Sequence, residues 1–350
     1  MAAIMVVMVV MVVMVVMVVM MDPAICATSQ VRGHPIRRPT RRKSLDGALD
    51  LNTPFHYVAN MALIPTFFLD CVSAIGIEVE NKKIWTATGF LVGKFYKEES
   101  DAKNYFVFLV TNKHVLKDKK SIIVRFNPKS SSESAALDFS ISLLDEGNKP
   151  KWVGHPNEDI DVAAIAINTK TLRDMDRKYD YFKPEHIINI KDAATEGISE
   201  GSFVYALGYP MGIVDPDRQY VISKSGTIAR IRDAFEGKRN EFIIDISIFP
   251  GNSGGPVVSK PELTGLEGTK AFPKCSLLGM IKGYIPYKDI AISQQTKRPR
   301  VIFEENSGLA SVITSDFIIE TIETCYATKI LPTIEKAEPT ETPQPTTENS

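Results

Sequence analysis

The chain has 350 residues, with 41 Lys and Arg against 42 Asp and Glu for a formal net charge of −1, and 44% of it is hydrophobic. That length holds one domain of about 250 residues with tails, or two smaller ones, and the balanced charge offers no global field to gather nucleic acid or an acidic partner. Cys26, Cys71, Cys275 and Cys325 are scattered without a Cys-x-x-Cys pair, and with five dispersed His they give no metal-ligand spacing. No metal, no cofactor and no dense disulfide scaffold is therefore expected; a single bridge stays open.

Residues 1–21 contain no polar side chain before Asp22, and from Met5 to Met20 they repeat Met-Val-Val with a period of three. A helix of that length could cross an apolar layer of about 30 Å. Two readings stand side by side: a signal or membrane anchor, and a translated simple-sequence repeat ahead of a later start. The basic cluster Arg32, Arg37, Arg38, Arg41, Arg42 and Lys43 follows the repeat, which would keep the rest cytoplasmic if the repeat spans a membrane. Localisation is thus open: anchored or exported if residues 1–21 are functional, cytoplasmic otherwise. Residues 22–60 are polar, basic and Pro-containing, the composition of a disordered linker.

From 61 to 330 the pattern is one of short strands. Residues 71–80, 85–92, 105–110, 121–126 and 137–144 are rich in β-branched or aromatic side chains and separated by turn signals. Residues 161–167, 203–207, 220–231, 241–248 and 276–284 continue the pattern, with a last strand near 309–313. One helix follows, with Ser315 as a candidate N-cap and Phe317, Ile318, Ile322 and Cys325 recurring on one face. Residues 285–308 read as a long connection without clear secondary structure, either a plain insertion or a lid. Residues 331–350 are Pro-, Thr- and Glu-rich, the composition of a disordered tail.

The stretch that organises the rest is Phe249-Pro250-Gly251-Asn252-Ser253-Gly254-Gly255-Pro256. Four of the six residues from Gly251 to Pro256 are Gly or Pro, so the backbone is shaped for close approach and left-handed turns. Such a turn suits an exposed Ser hydroxyl beside converging backbone N–H groups, as acyl transfer requires. Upstream, His114 ends an apolar run at 105–110, and Asp161 opens another at 161–167. The order His, Asp, Ser is the chymotrypsin order. Asp159 is a rival for the middle role, while His34, His155 and His186 read as ordinary loop or tail residues.

These motifs together resemble the trypsin-like serine peptidases of the HtrA type. Thr88-Gly89-Phe90-Leu91-Val92 is similar to that family's strand before the His, and Thr111-Asn112-Lys113-His114-Val115 to its His motif. Gly208-Tyr209-Pro210-Met211-Gly212 and Ser225-Gly226-Thr227-Ile228 are similar to its later signatures, and the likeness extends from about Cys71 to Cys325. It implies an all-β fold of two six-stranded antiparallel barrels with a C-terminal helix, and a serine endopeptidase acting on a protein or peptide substrate. His114, Asp161 and Ser253 would be the triad, and the N–H groups of Gly251 and Ser253 the oxyanion hole. Ser247, six residues before the nucleophile, would lie at the base of the specificity pocket, with Gly279, Ile281 and Gly283 along its wall. Ser247 is not an Asp, so a small or medium apolar residue is expected on the acyl side. Asn252 stands where activation by a new N-terminal ammonium would need an Asp, so no such zymogen switch is expected. No PDZ-like domain is expected in residues 331–350, and oligomeric state is open. A non-catalytic peptide-binding module of the same fold and a membrane-tethered scaffold remain the alternatives.

Overall fold

A computed structural model describes residues 64–100, 102–129, 135–262, 265 and 269–337. The expectations for residues 1–60, with the Met/Val repeat, Cys26 and the basic linker, lie outside these residues.

The first half supplies β1 (Val72–Val79), β2 (Lys82–Glu99), β3 (Ala102–Thr111), β4 (Ser121–Pro128), β5 (Leu137–Ser142), β6 (Val153–Gly154), β7 (Ala163–Ala166) and β8 (Arg177–Lys178). They form one sheet in the order β5-β4-β1-β2-β3-β7-β6, with β8 pairing β4. A closed six-stranded barrel is expected here from the sequence, and the hydrogen-bond ladder instead stays open between β5 and β6. The two ends approach through the single bridge Leu144–Pro150 and the bond from Lys151 N–H to the Leu143 carbonyl at 2.8 Å. Pro150 has no N–H to extend a ladder, so the seam stops there.

The second half supplies β9 (Phe203–Gly208), β10 (Ile222–Arg230), β11 (Glu241–Asp245), β12 (Pro256–Ser259), β13 (Leu277–Ile292) and β14 (Pro299–Thr314). These close into a barrel in the order β10-β11-β14-β13-β12-β9. The expected loop at 285–308 is instead a ribbon: β13 and β14 pair continuously from the barrel out to Ile292 opposite Pro299. Its β-branched and aromatic residues, with Ile290 facing Ile302, Ala291 facing Val301 and Phe303 facing Asp289, are of the types that favour strands.

Alternation along three strands explains how the halves join. Phe90 and Val92 of β2, Phe108 and Val110 of β3, and Tyr205 and Leu207 of β9 enter one shared core. Leu91 and Leu109, between them, enter the core of the first half, and Val204 and Ala206 enter the core of the second. Successive side chains point to opposite faces of a strand, so a strand buried on both faces must be apolar at every position. That is why these stretches read as continuous apolar runs.

A helix at Ser315–Cys325 closes the shared core with Ile318, Ile322 and Cys325. Its N-cap is Thr314, one residue before the expected Ser315, whose hydroxyl donates to the Ile188 carbonyl at 2.5 Å. Helical backbone continues through Tyr326–Ile330 and Leu331–Ala337, into the stretch whose composition suggests a tail. Cys71, Cys275 and Cys325 are free thiols. Burial pushes Cys275 up to about 12 and Cys325 up to about 11, which favours the protonated thiol at both.

Candidate active site

The nucleophile loop is built by backbone engagement. Gly251 and Gly254 have φ of +97° and +83°, where L side chains are strained. A Cβ on Gly251 would stand 2.3 Å from the Tyr209 carbonyl, and one on Gly254 2.2 Å from the Thr88 carbonyl. Every carbonyl from Phe249 to Ser253 accepts a hydrogen bond: from Asn252 N–H (3.0 Å), Met211 N–H (2.6 Å), Thr88 Oγ1 (2.7 Å), Gly255 N–H (2.9 Å) and Thr88 N–H (2.9 Å). Of the N–H groups from Phe249 to Gly255, those of Gly251 and Ser253 have no partner among the described residues. In a trans peptide the N–H points opposite to the preceding carbonyl. The Pro250 carbonyl turns to Met211 and the Asn252 carbonyl to Gly255, so the two free N–H groups face away from those partners.

Thr88 is the hub of this arrangement. Fully buried, it donates its hydroxyl to the Gly251 carbonyl at 2.7 Å, accepts from Tyr209 N–H at 3.0 Å, and its own carbonyl accepts from Thr111 Oγ1 at 2.8 Å. Asn252 is also fully buried, its Oδ1 accepting from Phe249 N–H at 3.2 Å. The Asn252 amide and the Thr88 hydroxyl thus hold the loop from within.

His114 sits in a short helix, Lys113–Leu116, directly after β3. Its Nδ1 donates to Asp161 Oδ2 at 2.6 Å, and its backbone N–H donates to Asp161 Oδ1 at 3.1 Å. The Asp161 backbone is itself held, its carbonyl accepting from Asn112 Nδ2 at 2.8 Å. With Nδ1–H committed to the carboxylate, Nε2 carries the lone pair and is free to accept a proton. Asp159 is exposed and its N–H donates to Asn157 Oδ1 at 3.0 Å; Asp161 is the carboxylate on the imidazole.

His114 and Ser253 line one cleft of about 360 Å³. Ala87, Val115, Ile248, Phe249 and Pro250 give it apolar walls, and Gly251, Gly283 and Tyr284 also line it. The Ser253 hydroxyl makes no hydrogen bond among the described residues.

The pocket residues suggested by the resemblance fall in different places. Gly283 lines the cleft. Ile281 does not: its side chain is fully buried in the second barrel's core, and its backbone locks the loop by pairing with Gly254 and Gly255. Gly279 lies deeper in the barrel, where a Cβ would meet the Ile313 carbonyl at 2.2 Å. Ser247 is exposed, beside Gly308. Its carbonyl accepts from Lys224 Nζ, and that ammonium also stands 4.6 Å from the Phe249 ring centroid. Lys282 turns away to Glu241 at 2.6 Å.

The other two histidines among the described residues make packing and hydrogen-bond contacts. His155 is buried, with Nε2 on Glu320 at 3.0 Å and Nδ1 accepting from Asn157 N–H at 3.0 Å. His186 packs on Phe67 and Phe68, and burial lowers its pKa. Among the described residues no cluster of His, Cys, Asp and Glu could hold a metal ion.

No curated protein matches the chain. Among solved structures it is similar to the MamO protease domain from Magnetospirillum magneticum in its apo form, at 12% identity over 73% of this chain and 97% of that one, with a TM-score of 0.36. It is similar to the HtrA-type protease AlgW with a decapeptide, at 14% identity over 75% of this chain and 66% of that one, TM-score 0.36. It is also similar to Rv3671c from M. tuberculosis H37Rv, in the inactive form of a Ser-to-Ala mutant, at 14% identity over 80% and 100%, TM-score 0.37. Residues 87–265, from the strand that carries Thr88 to beyond the nucleophile loop, match the family model of the trypsin-like peptidase domain, and the chain belongs to that family.

Proposed function

We propose that the protein is a serine endopeptidase that hydrolyses peptide bonds through an acyl-enzyme. The observation that carries this reading is the pair of unpartnered N–H groups on Gly251 and Ser253, in the same cleft as an imidazole held by Asp161. Neutral His114 takes the Ser253 proton as Oγ attacks the substrate carbonyl, then gives it to the leaving amine. Asp161 keeps the imidazole in the required tautomer and stabilises the imidazolium as it forms. The developing oxyanion is received by the Gly251 and Ser253 N–H groups, each worth about 2.7–4 kcal/mol in comparable sites.

The apolar lining of the cleft suits a small or medium apolar residue on the acyl side. Lys119, which lines the cleft, and Lys224, 4.6 Å from the ring centroid of the lining Phe249, support the exclusion of Arg and Lys there, because neither has a carboxylate partner among the described residues. Hydrolysis of a peptide library by the wild-type chain, beside Ser253→Ala and His114→Ala, tests the reading. Cleavage that both substitutions abolish, after apolar rather than basic residues, is expected. Undiminished cleavage by Ser253→Ala would overturn the assignment, and binding of peptides without any turnover would favour a binding module instead.

A further inference from the structure

The outer part of the β13–β14 ribbon carries more exposed apolar surface than a free hairpin tolerates. Tyr287, Ile290, Ile292, Val301, Ile302 and Phe303 are large apolar residues, each between 48% and 61% exposed. Ile290 and Ile302 are cross-strand partners, as are Ala291 and Val301, so the apolar residues form contiguous patches on the ribbon. Two strands alone are marginal in water, and contiguous exposed patches mark interaction surfaces.

The two edges of the ribbon differ. The outer run of β13 contains Pro286, which lacks a donor and blunts that edge. Residues 300–307 of β14 contain neither Pro nor Gly. Among the described residues they pair only with β13, because β11 meets β14 only at 309–313. The side chains on this free edge read Arg300-Val301-Ile302-Phe303-Glu304. Two copies paired antiparallel about Ile302 set each Arg300 opposite the other copy's Glu304, and each Val301 opposite the other copy's Phe303. Opposite charges and aromatic–β-branched pairs are the favourable cross-strand combinations. Pairing about Val301 or Phe303 instead would set Ile302 against Arg300 or Glu304.

We propose that β14 is a homodimerisation edge, and that two copies of this chain join through antiparallel pairing of residues 300–304 about a twofold axis at Ile302. The interface is isologous, as closed dimers require. Glu304 already accepts from Tyr284 at 3.0 Å and from Lys288 at 3.2 Å, and a carboxylate has acceptor sites left for Arg300 of the second copy. An exposed ion pair adds little affinity. Burial of Val301, Ile302 and Phe303 drives association, and the charges fix the register. Lys288, Lys297, Arg298 and Arg300 on the ribbon are nearly balanced by Asp289, Glu304 and Glu305, so no strong cationic field draws it to an anionic membrane, whereas the Arg300 and Glu304 charges complement a second copy.

Sedimentation velocity on the full chain across a concentration series tests this. Wild type is expected to reach twice the chain mass, and Arg300→Glu and Ile302→Arg are each expected to raise the dimer dissociation constant at least tenfold while leaving the circular dichroism unchanged. Ile302→Cys should form a covalent dimer on mild oxidation, because the twofold places the two residues face to face, whereas Lys288→Cys should not. A wild type that stays monomeric overturns the proposal. So does a dimer indifferent to both substitutions, and so does cross-linking that is no better at 302 than at 288. A monomer that sediments with phosphatidylcholine–phosphatidylserine vesicles would assign the ribbon to a membrane, and a monomer with protected ribbon amides would assign it to another segment of the chain; either result overturns the dimer.

Discussion

The loop at 249–256 and the ribbon at 285–306 show how little regularity says about rigidity. The loop has almost no regular secondary structure, yet every carbonyl from Phe249 to Ser253 is engaged and its glycines press against neighbouring backbone. The ribbon is paired strand along most of its length, interrupted by bulges near Pro286 and Ile292, yet its outer part is held by its own cross-strand pairs and leaves its large side chains in water. A site that must hold two donors fixed is built from irregular, over-determined backbone, and the regular element is the one with surface to spare.

The largest expected effect lies beside the loop. Asp161→Asn keeps the hydrogen-bonding shape but can present the wrong imidazole tautomer; kcat should fall about 10⁴-fold, as for the same change in chymotrypsin-type enzymes. The melting temperature should barely move, and steady-state kinetics with a thermal melt check both halves of the statement.

One residue type on one strand gives the sharpest contrast. Ile281→Ala empties the barrel core behind the loop and should cost about 2–5 kcal/mol. Ile290→Ala, nine residues further along β13 on the exposed ribbon, should cost under about 0.5 kcal/mol in the dilute monomer. Urea titrations of the two variants decide this, and equal losses would mean the ribbon is as tightly packed as the barrel.

A smaller effect is expected at Thr88. Thr88→Val keeps the volume but strands the Gly251 carbonyl and the Tyr209 N–H, a loss of about 1–3 kcal/mol. Because the hydroxyl orients the peptide next to a proposed oxyanion donor, kcat should drop on the order of tenfold or more with KM nearly constant. A loss confined to stability would sever Thr88 from catalysis.

The smallest effect is a pH dependence. Asp138 is nearly buried between Arg125 at 2.5 Å and Lys83 at 2.6 Å. Burial acts to raise its carboxyl, but hydrogen bonds from Arg125 and Lys83 outweigh that and hold it below the usual range. A depressed carboxylate stabilises the fold above its unfolded value of about 3.9 and loses that contribution as pH falls through the folded value. Wild type should therefore lose stability more steeply below pH 4 than Asp138→Asn does. Glu304, also held low by hydrogen bonds from Lys288 and Tyr284 but on the exposed ribbon, should give no such difference in the monomer when changed to Gln.

The two regions also differ in how far the sequence discloses them. The Gly- and Pro-rich loop, the His at the end of one apolar run and the Asp at the start of another are visible as local patterns, because each residue type is demanded by its own backbone. The roles of Thr88 and Met211 are not, since they depend on contacts distant in the chain, Thr88 reaching Tyr209 and Gly251 and Met211 reaching Pro250; a polar Thr between apolar neighbours in β2 is a weak signal. Ile281 looks like a pocket residue by its position in a motif, and only the bulge between Ile281 and Gly283 shows which of the two reaches the cleft. The ribbon reads as a loop because Pro286, Pro299 and Gly308 suggest breaks, although the strands accommodate all three at a bulge or an end. The open seam at Leu144–Pro150 is likewise beyond a pattern of strands, which counts elements and not the ladder that closes them.

The central claim is that Ser253 is a nucleophile activated by His114 in a preset oxyanion hole. A fluorophosphonate probe, followed by peptide mapping of the adduct, tests it most directly. The account predicts one adduct per chain, on Ser253, lost in His114→Ala and strongly slowed in Asp161→Asn. No adduct on the folded wild-type chain, or an adduct on another residue that survives Ser253→Ala, would contradict it.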